Sequence, residues 1–272
     1  MNLLEVLQRA TGYLGKHGSD SPRLDAEVLM AHALGVRRLD LYVQFDRPLK
    51  EGELTVYREL IAKRAKHEPV AYLVGHKEFM GLDFEVTPAV LIPNPDTEVL
   101  VQRAVAIARE LERPVRAADV GTGSACIAIA LARYAPAVEV WAGDISAAAL
   151  AVAARNVEKH GLADRVHLVE GDLLGPLPGE LDLICANLPY VHGSAELPKE
   201  VRAQPAIALY AEQGGADLVN RLLAEAPERL REGGRVLAEV DPSIVAALRI
   251  PFTNHAVHRD LGGHVRVIEA WS

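Results

Sequence analysis

The most chemically distinctive stretch of the sequence is Asn187-Leu188-Pro189-Tyr190, which follows an apolar run at 181–186. Proline has no N–H and biases the residue before it toward extended geometry. The Leu188 carbonyl and the Asn187 side-chain oxygen can therefore point the same way. Two acceptors side by side suit a planar –NH2 group, which carries two donors, and the Tyr190 ring can stack on that group. The tetrapeptide predicts a substrate with a planar amino or amide group.

A glycine-rich segment, Gly121-Thr122-Gly123-Ser124-Ala125, follows another apolar run at 115–120. Its two glycines let the backbone turn tightly and approach a ligand, and the next helix begins with unpaired N–H groups. A dinucleotide fingerprint needs a third glycine at position 126, where this sequence has a cysteine. The segment therefore indicates a ligand-binding loop and disfavours a nicotinamide oxidoreductase.

Two carboxylates follow the next apolar runs. Asp144 lies 23 residues after Gly121, about where an acidic side chain meets a ribose diol in strand–helix folds. Asp172 follows the third run, where its carboxylate could accept from an adenine amine or could cap a turn. Together they favour an adenosine-containing cofactor.

Alternating strands and helices must position these residues. The periodicity predicts helices over 98–111, 124–134, 147–160 and 218–230, and strands over 115–120, 138–142, 166–170, 181–186 and 235–240. Short apolar strands between helices imply a mostly parallel sheet that is covered on both faces. Such a sheet binds ligands beyond the carboxyl ends of its strands.

The N-terminal part has a different pattern. Residues 2–67 are predicted to be helical, and 70–79 with 82–86 flank Met80-Gly81 as the strands of a hairpin. We therefore predict three regions: a helical domain at 1–67, a β-hairpin linker at 68–90 and an α/β domain at 91–272.

Composition and charge narrow the possible functions. Half of the 272 residues are hydrophobic and 24% are charged, which is typical of a folded protein. Residues 91–272 carry 17 Lys and Arg side chains against 24 Asp and Glu, a formal charge of −7, which disfavours binding to a polyanion. We predict a cytoplasmic protein for three reasons. The sequence shows no basic leader, its apolar runs are much shorter than the ~20 residues of a membrane span, and its two cysteines lie in apolar runs. The closest pair of histidines is His255 and His258, and one such pair supplies too few ligands for a metal site. We therefore expect no metal.

The motifs resemble those of class I S-adenosylmethionine-dependent methyltransferases, and more narrowly those of the HemK/PrmC family, which methylates a glutamine in peptide chain release factors. The likeness covers nearly the whole chain. Its blocks are Tyr72-Leu73-Val74-Gly75, Glu78-Phe79, 91–98, the glycine loop, Asn187–Tyr190, 204–209 and Arg259-Asp260-Leu261. The sequence departs from the family pattern at Leu188 (proline), Ala125 (glycine), Asn94 (arginine) and Gln204 (glutamate). It also lacks the glycine that usually follows Glu239.

The resemblance implies a Rossmann-like fold with a seven-stranded, mostly parallel sheet, helices on both faces and a small helical domain in front. It implies S-adenosyl-L-methionine as cofactor and S-adenosyl-L-homocysteine as product. The cofactor-binding residues are then Gly121, Thr122, Gly123, Ser124, Ala125, Asp144, Asp172, Leu173 and Asn187. The catalytic and substrate-binding residues are Asn187, Leu188, Pro189 and Tyr190.

The same resemblance implies the partner. The helical domain would hold a release factor while the glutamine of its Gly-Gly-Gln motif enters the site. We expect no direct contact with nucleic acid, no membrane association and a monomeric protein.

Two other functions fit parts of the sequence. Ribosomal-RNA adenine dimethyltransferases use an Asn-Leu-Pro-Tyr version of the tetrapeptide, because adenine also presents a planar –NH2 group. They need a basic surface and place their accessory helices after the catalytic domain, whereas this chain is acidic and has its extra helices first. The departures from the family pattern also fit a non-catalytic paralogue that binds the cofactor or a translation factor.

Overall fold

The structure is a computed structural model that describes residues 1–211 and 215–272. Its α-helices are α1 (Leu3–Lys16), α2 (Pro22–Leu34), α3 (Arg38–Tyr42), α4 (Glu51–Arg64), α5 (Val70–Val74), α6 (Glu98–Glu110), α7 (Cys126–Tyr134), α8 (Ala147–Lys159), α9 (Lys199–Arg202), α10 (Ala206–Leu209) and α11 (Asp217–Glu225). Short 3₁₀ helices span Pro95–Thr97, Ala226–Glu228 and Val245–Ala247.

The strands complete the description. They are β1 (His76–Phe79), β2 (Leu82–Glu85), β3 (Val115–Val120), β4 (Val138–Asp144), β5 (Val166–Glu170), β6 (Leu181–Ala186), β7 (Val191–His192), β8 (Tyr210–Ala211), β9 (Leu230–Glu239), β10 (Asn254–Arg259) and β11 (Val265–Trp271). The chain divides into one unit of Met1–His76 with Leu197–Ala203 and another of Lys77–Glu196 with Gln204–Ser272.

Helices make up most of the first unit. A capping box between Asn2 and Glu5 starts α1, and α2 ends at Gly35 in the left-handed conformation that glycine adopts without strain. The apolar faces of α1, α2 and α4 enclose a core of their own. The predicted three-part division of the chain at 67 and 90 stays a prediction.

The predicted strand over 70–79 is wrong in its first half. Residues 70–74 form helix α5, which begins after Pro69 and ends at Gly75, whose φ is +80°. Proline before the first turn and glycine after the last one favour a short helix over a strand. The strand begins only at His76, and the hairpin then turns at Met80-Gly81 as predicted.

A seven-stranded sheet forms the centre of the second unit, in the order β10-β11-β9-β6-β3-β4-β5. Strands β9, β6, β3, β4 and β5 pair in parallel, whereas β11 is antiparallel to both β9 and β10. The chain runs outward through β3, β4 and β5 and then returns to pair β6 with the other side of β3. This reversal of strand order puts the carboxyl ends of β3 and β6 at the topological switch point.

Both faces of the sheet are covered. Alternate residues of β3 face opposite sides, so Val115 and Ala117 pack with α6, α7 and α8, while Ala118 and Val120 pack with α11 and the 173–177 segment. The α/β fold predicted from the sequence, with a mostly parallel seven-stranded sheet and helices on both faces, is confirmed. No helix among the described residues is long and apolar enough to cross a membrane.

A buried carboxylate joins the antiparallel edge of the sheet to α6. Glu269 on β11 is 1% exposed and accepts hydrogen bonds from Arg103 (2.7 and 3.0 Å), from His258 (2.7 Å) and from Arg235. Burial alone would raise the pKa of Glu269, but these hydrogen bonds outweigh it and lower the pKa to about 2. The edge strands are therefore held by an ionic network as well as by backbone pairing.

Candidate active site

A cavity of about 930 Å³ opens at the switch point of the sheet. Its walls include the residues after β3, β4, β5 and β6, so the carboxyl ends of four parallel strands meet there. A volume near 1,000 Å³ is typical of a site for a nucleotide-sized ligand. Most of the residues predicted from the sequence line it: Gly121, Thr122, Gly123, Ser124, Asp144, Asp172, Leu173, Asn187, Leu188 and Pro189.

The glycine loop lies against its neighbouring strand. The N–H groups of Gly121 and Thr122 both donate to the Gly143 carbonyl at 2.9 Å. Gly121 has a φ of +74°, and a Cβ there would lie 3.1 Å from the Leu188 side chain. Both the backbone conformation at 121 and the close approach of the Leu188 side chain therefore favour glycine there.

Asp119 holds this loop in place through hydrogen bonds of its buried carboxylate. It is 1% exposed, and its Oδ2 accepts from the Thr122 hydroxyl at 2.6 Å and from the Ala128 N–H at 3.1 Å. Burial raises the pKa of Asp119 to about 7, against those hydrogen bonds. The side chain thereby ties the loop to the first turn of α7. The sequence reasoning did not assign this role, although Asp119 directly precedes the loop.

Ala125 does not line the cavity. It is buried at the start of α7 with a φ of +62°, a left-handed conformation that costs a non-glycine residue about 1–2 kcal/mol. The conformation explains why the family pattern has glycine at this position. The methyl group is packed among core residues, so burial offsets part of the cost.

The two predicted cofactor carboxylates make different contacts. Asp144 accepts from the Gly123 N–H and from the Ser146 N–H, one at each oxygen, both at 2.9 Å. Each carboxylate oxygen has a second lone pair, so Asp144 can still accept from a diol. Asp172 instead pairs with Arg221 at 2.7 Å, and both side chains are about half exposed.

Asn187 is oriented by a residue far away in the sequence. Its Nδ2 donates to the Thr97 hydroxyl at 3.1 Å. Because the amide nitrogen is occupied there, Oδ1 is the carboxamide atom that can face the cavity as an acceptor. Thr97 is 2% exposed and stands at the end of the Pro95–Thr97 turn.

A buried glutamate completes this arrangement. Glu239 at the end of β9 is 2% exposed and lies next to Thr97 and Asn187. Burial raises the pKa of Glu239 to about 7, although these two polar neighbours act to lower it. In the sequence Glu239 is notable only for the missing glycine after it, and no local pattern connects it with the tetrapeptide at 187–190.

Tyr190 is the other predicted site residue outside the cavity lining. Its side chain packs beside the core that contains Ile244, and burial raises its pKa. Stacking of Tyr190 on the substrate amide stays a prediction.

Two departures from the family pattern have local explanations. Asn94 lines the cavity, and its Oδ1 accepts from the Asp96 N–H at 3.1 Å, which caps the Pro95–Thr97 turn. Gln204 accepts from the Ile92 N–H at 3.0 Å through Oε1, as a glutamate oxygen could. At both positions the side chain therefore still accepts a hydrogen bond from a backbone N–H group next to the cavity. Among the residues that the structure describes, no group of three or more His, Cys, Asp or Glu side chains could hold a metal ion.

The sheet order and the two loops at its switch point are those of the class I methyltransferase fold. Solved structures share this fold: the ribosomal protein L11 methylase from Lactobacillus delbrueckii subsp. bulgaricus has a TM-score of 0.50 and 22% identity, with 66% of this chain and 80% of that chain covered. The hMettl16 catalytic domain has a TM-score of 0.58 and 18% identity, with 76% and 81% covered.

Sequence comparison identifies the family. The model of the PrmC N-terminal domain matches residues 5–75, and that of the methyltransferase small domain matches residues 96–257. The release factor glutamine methyltransferase of Rhodopirellula baltica is 39% identical over 280 residues, covering 98% of this chain and 95% of the relative. That of Geobacter sulfurreducens is 43% identical over 240 residues, covering 87% and 83%. The chain belongs to the release factor glutamine methyltransferase family, the HemK/PrmC family that its motifs resemble.

Proposed function

We propose that the protein methylates the side-chain amide nitrogen (N5) of the glutamine in the Gly-Gly-Gln motif of peptide chain release factors. The methyl donor is S-adenosyl-L-methionine, and the product is S-adenosyl-L-homocysteine. The observation that carries the proposal is the orientation of the Asn187 carboxamide. Its nitrogen donates a hydrogen bond to the Thr97 hydroxyl, which leaves its oxygen as an acceptor at the cavity. Membership of the family, with relatives about 40% identical over most of the chain, supports the same substrate.

The residues at the switch point fit this cofactor. The glycine loop offers backbone close to the cavity, Asp144 keeps acceptor capacity for the ribose hydroxyls, and Leu173 adds an apolar wall. Asp172 could accept from the adenine amine through an oxygen beyond its Arg221 contact. When bound, S-adenosyl-L-methionine supplies a methyl group on a sulfonium sulfur that also serves as leaving group.

An amide nitrogen is a poor nucleophile because its lone pair is delocalised into the carbonyl. Asn187 Oδ1 and the Leu188 carbonyl would accept its two N–H groups and so direct the lone pair along the line of transfer. In the transfer a new N–C bond would form as the C–S bond breaks, positive charge would build on the amide nitrogen, and one N–H proton would then leave to solvent. The two fixed acceptor dipoles stabilise that charge as it develops. Leu188 in place of proline preserves this chemistry, since every residue carries a backbone carbonyl.

The remaining parts of the proposal concern partners and place. The helical N-terminal domain would hold the release factor, and the acidic charge of 91–272 suits a protein loop better than bare nucleic acid. The monomeric state stays a prediction. The cytoplasmic location also stays a prediction, and it is supported by the fact that translation termination takes place in the cytoplasm.

Transfer of tritium from labelled S-adenosyl-L-methionine to a purified release factor tests the proposal. Label on the factor should disappear when the glutamine of its Gly-Gly-Gln motif is changed to alanine. Label on bulk ribosomal RNA instead would favour the adenine methyltransferase alternative, and cofactor binding without transfer to either would favour the non-catalytic paralogue.

Asn187→Ala should lower turnover at least 100-fold while the affinity for S-adenosyl-L-homocysteine changes much less, because it removes one acceptor of the substrate amide. Asn254→Ala, an exposed asparagine at the start of β10, is the matched control and should retain wild-type turnover. Equal activity of Asn187→Ala and wild type would remove Asn187 from the mechanism.

A further inference from the structure

Thr97, Asn187 and Glu239 come from three separate elements and meet beside the cavity. They stand at the end of the Pro95–Thr97 turn, just after β6 and at the end of β9. Thr97 and Glu239 are each 2% exposed, so neither hydrogen-bonds freely with bulk water. The Asn187 Nδ2 donates to the Thr97 hydroxyl at 3.1 Å, the Glu239 carboxyl lies next to both residues, and its buried Oε2 has no hydrogen-bond partner among the described residues.

We propose that Thr97 and Glu239 are positioning residues that fix the Asn187 carboxamide with its nitrogen inward and its oxygen toward the substrate amide. The proposal rests on the function proposed above, because it concerns the same reaction. Neither residue needs to touch the substrate or the cofactor to act in this way.

The orientation matters because the two ends of a carboxamide are nearly the same size but opposite in hydrogen bonding. If Asn187 turned over, its –NH2 group would face the substrate –NH2 group, and two donors would meet. The flipped state would also remove one acceptor from the nitrogen on which positive charge builds. Residues that prevent the Asn187 carboxamide from flipping therefore affect turnover rather than cofactor affinity.

The chemistry of the buried pair selects one orientation. An ionised carboxylate has only acceptors, so Glu239 requires a donor from each neighbour. The Thr97 oxygen accepts from Asn187 Nδ2 at 3.1 Å. Thr97 has one O–H, and in our proposal it is directed at the neighbouring Glu239 carboxylate, so toward Asn187 the Thr97 oxygen acts only as an acceptor. With Thr97 and Glu239 both accepting, the nitrogen of Asn187 must face them.

The local backbone leaves the Thr97 hydroxyl available for this role. Thr97 precedes α6 at the N-cap position, where threonine commonly caps with its side chain, but here no such hydrogen bond is made. Asn94 supplies the acceptor for the preceding turn instead. Thr97→Val consequently removes the link to Asn187 without removing a helix cap.

Several charged or titratable groups surround Glu239. Burial and the Asp96 carboxylate raise the pKa of Glu239, the Arg266 guanidinium lowers it, and Tyr190 and Cys126 also interact with it electrostatically. Protonation of Glu239 would turn an obligate acceptor into a group that can donate, so the flipped Asn187 would become tolerable. The turnover of the wild type should fall as the pH drops through about 7.

The test uses the full chain, a purified release factor and labelled S-adenosyl-L-methionine. The variants are Thr97→Val, Thr97→Ser and Glu239→Gln, with Thr11→Val as a control that removes a hydroxyl bonded to the α1 backbone. Measured for each are kcat, KM for both substrates, the dissociation constant of S-adenosyl-L-homocysteine and the melting temperature.

We expect Thr97→Val to lower kcat tenfold or more with cofactor affinity within twofold of wild type, and Thr97→Ser to stay within threefold. Glu239→Gln should lower kcat similarly and lose the fall in rate at low pH. The double variant Thr97→Val/Glu239→Gln should be no slower than the slower single variant, because both act through Asn187.

Wild-type kcat in Thr97→Val would overturn the inference. A loss of kcat that follows only a lower melting temperature or weaker cofactor binding would overturn it as well. An inactive wild type in the same assay would instead refute the proposed function, so the two failures are distinguishable.

Discussion

Glu269 offers the sharpest test of how the edge of the sheet is stabilised. Its pKa falls from 4.5 to about 2 because three cationic or donor side chains surround a buried carboxylate. At about 1.36 kcal/mol per pKa unit this fall corresponds to about 3 kcal/mol. The partners Arg103, Arg235 and His258 are each 27% exposed, so solvent screening reduces the expected value to roughly 2 kcal/mol.

The sign of the pH dependence follows from the direction of the shift. The folded-state pKa of Glu269 lies below the unfolded value, so this stabilisation is complete above about pH 5. It is lost progressively as the pH falls from about 4.5 toward about 2. Glu269→Gln, which cannot ionise, should therefore be less stable than wild type by roughly 2 kcal/mol at pH 7 and by less than half of that at pH 3.

Urea unfolding at pH 7, 5, 4 and 3 measures this difference, with the fluorescence of Trp271 on β11 and Trp141 on β4 as reporters. Glu158→Gln changes an exposed glutamate on α8 and should match wild type throughout. A stability difference for Glu269→Gln that stays constant from pH 7 to pH 3 would refute the ionic explanation. No difference at pH 7 would show that the network contributes no net stability.

Three further substitutions probe the site and its support. Gly121→Ala should weaken cofactor binding at least tenfold by calorimetric titration, because a Cβ at φ +74° would lie 3.1 Å from the Leu188 side chain. Leu188→Ala should keep turnover within about fivefold while the free energy of unfolding falls by about 2–3 kcal/mol, since the acceptor is a backbone carbonyl and the side chain is 5% exposed. Asn156→Ala should cost about 3 kcal/mol in urea unfolding, because its fully buried side chain joins the backbone of Glu85 and Ser124 through three hydrogen bonds.

Each of these predictions has a contrary outcome. Unchanged cofactor affinity in Gly121→Ala would mean that the loop does not approach the ligand closely. A loss of turnover in Leu188→Ala as large as in Asn187→Ala would mean that the side chain, and not the carbonyl, serves the reaction. A stable Asn156→Ala would show that water replaces all three hydrogen bonds.

The parallel core of the fold was predictable because each strand is a short apolar run with clear ends. The predicted bounds of β3, β5 and β6 agree with the structure, and the ends of α6 and α8 differ by one residue. The edge strands β10 and β11 were not located from the sequence. Strand β10 is solvent-exposed at alternate positions and carries two histidines, so its pattern is weak.

The predicted site residues were recognisable where the sequence places them directly after a strand. Gly121 and Asn187 follow this rule, Asp144 is the last residue of its strand and Asp172 lies two residues beyond its strand, and all four line the cavity. The supporting contacts were not predictable in the same way. Thr97 and Asn187 lie 90 positions apart, and no local periodicity connects a turn before α6 with the end of β6.

The segment Leu197–Ala203 groups with the first unit although both of its flanks belong to the second. Its Glu200 pairs at 2.7 Å with Arg64, which also holds Asp25 at 2.7 Å and is 6% exposed. The polypeptide thus crosses from one unit to the other three times, so the helical part is not a module that recombination could exchange with a single crossover. A chimaera joined at residue 77 would separate Glu200 from its arginine. Any lineage that swaps the N-terminal part must replace this returning segment together with it.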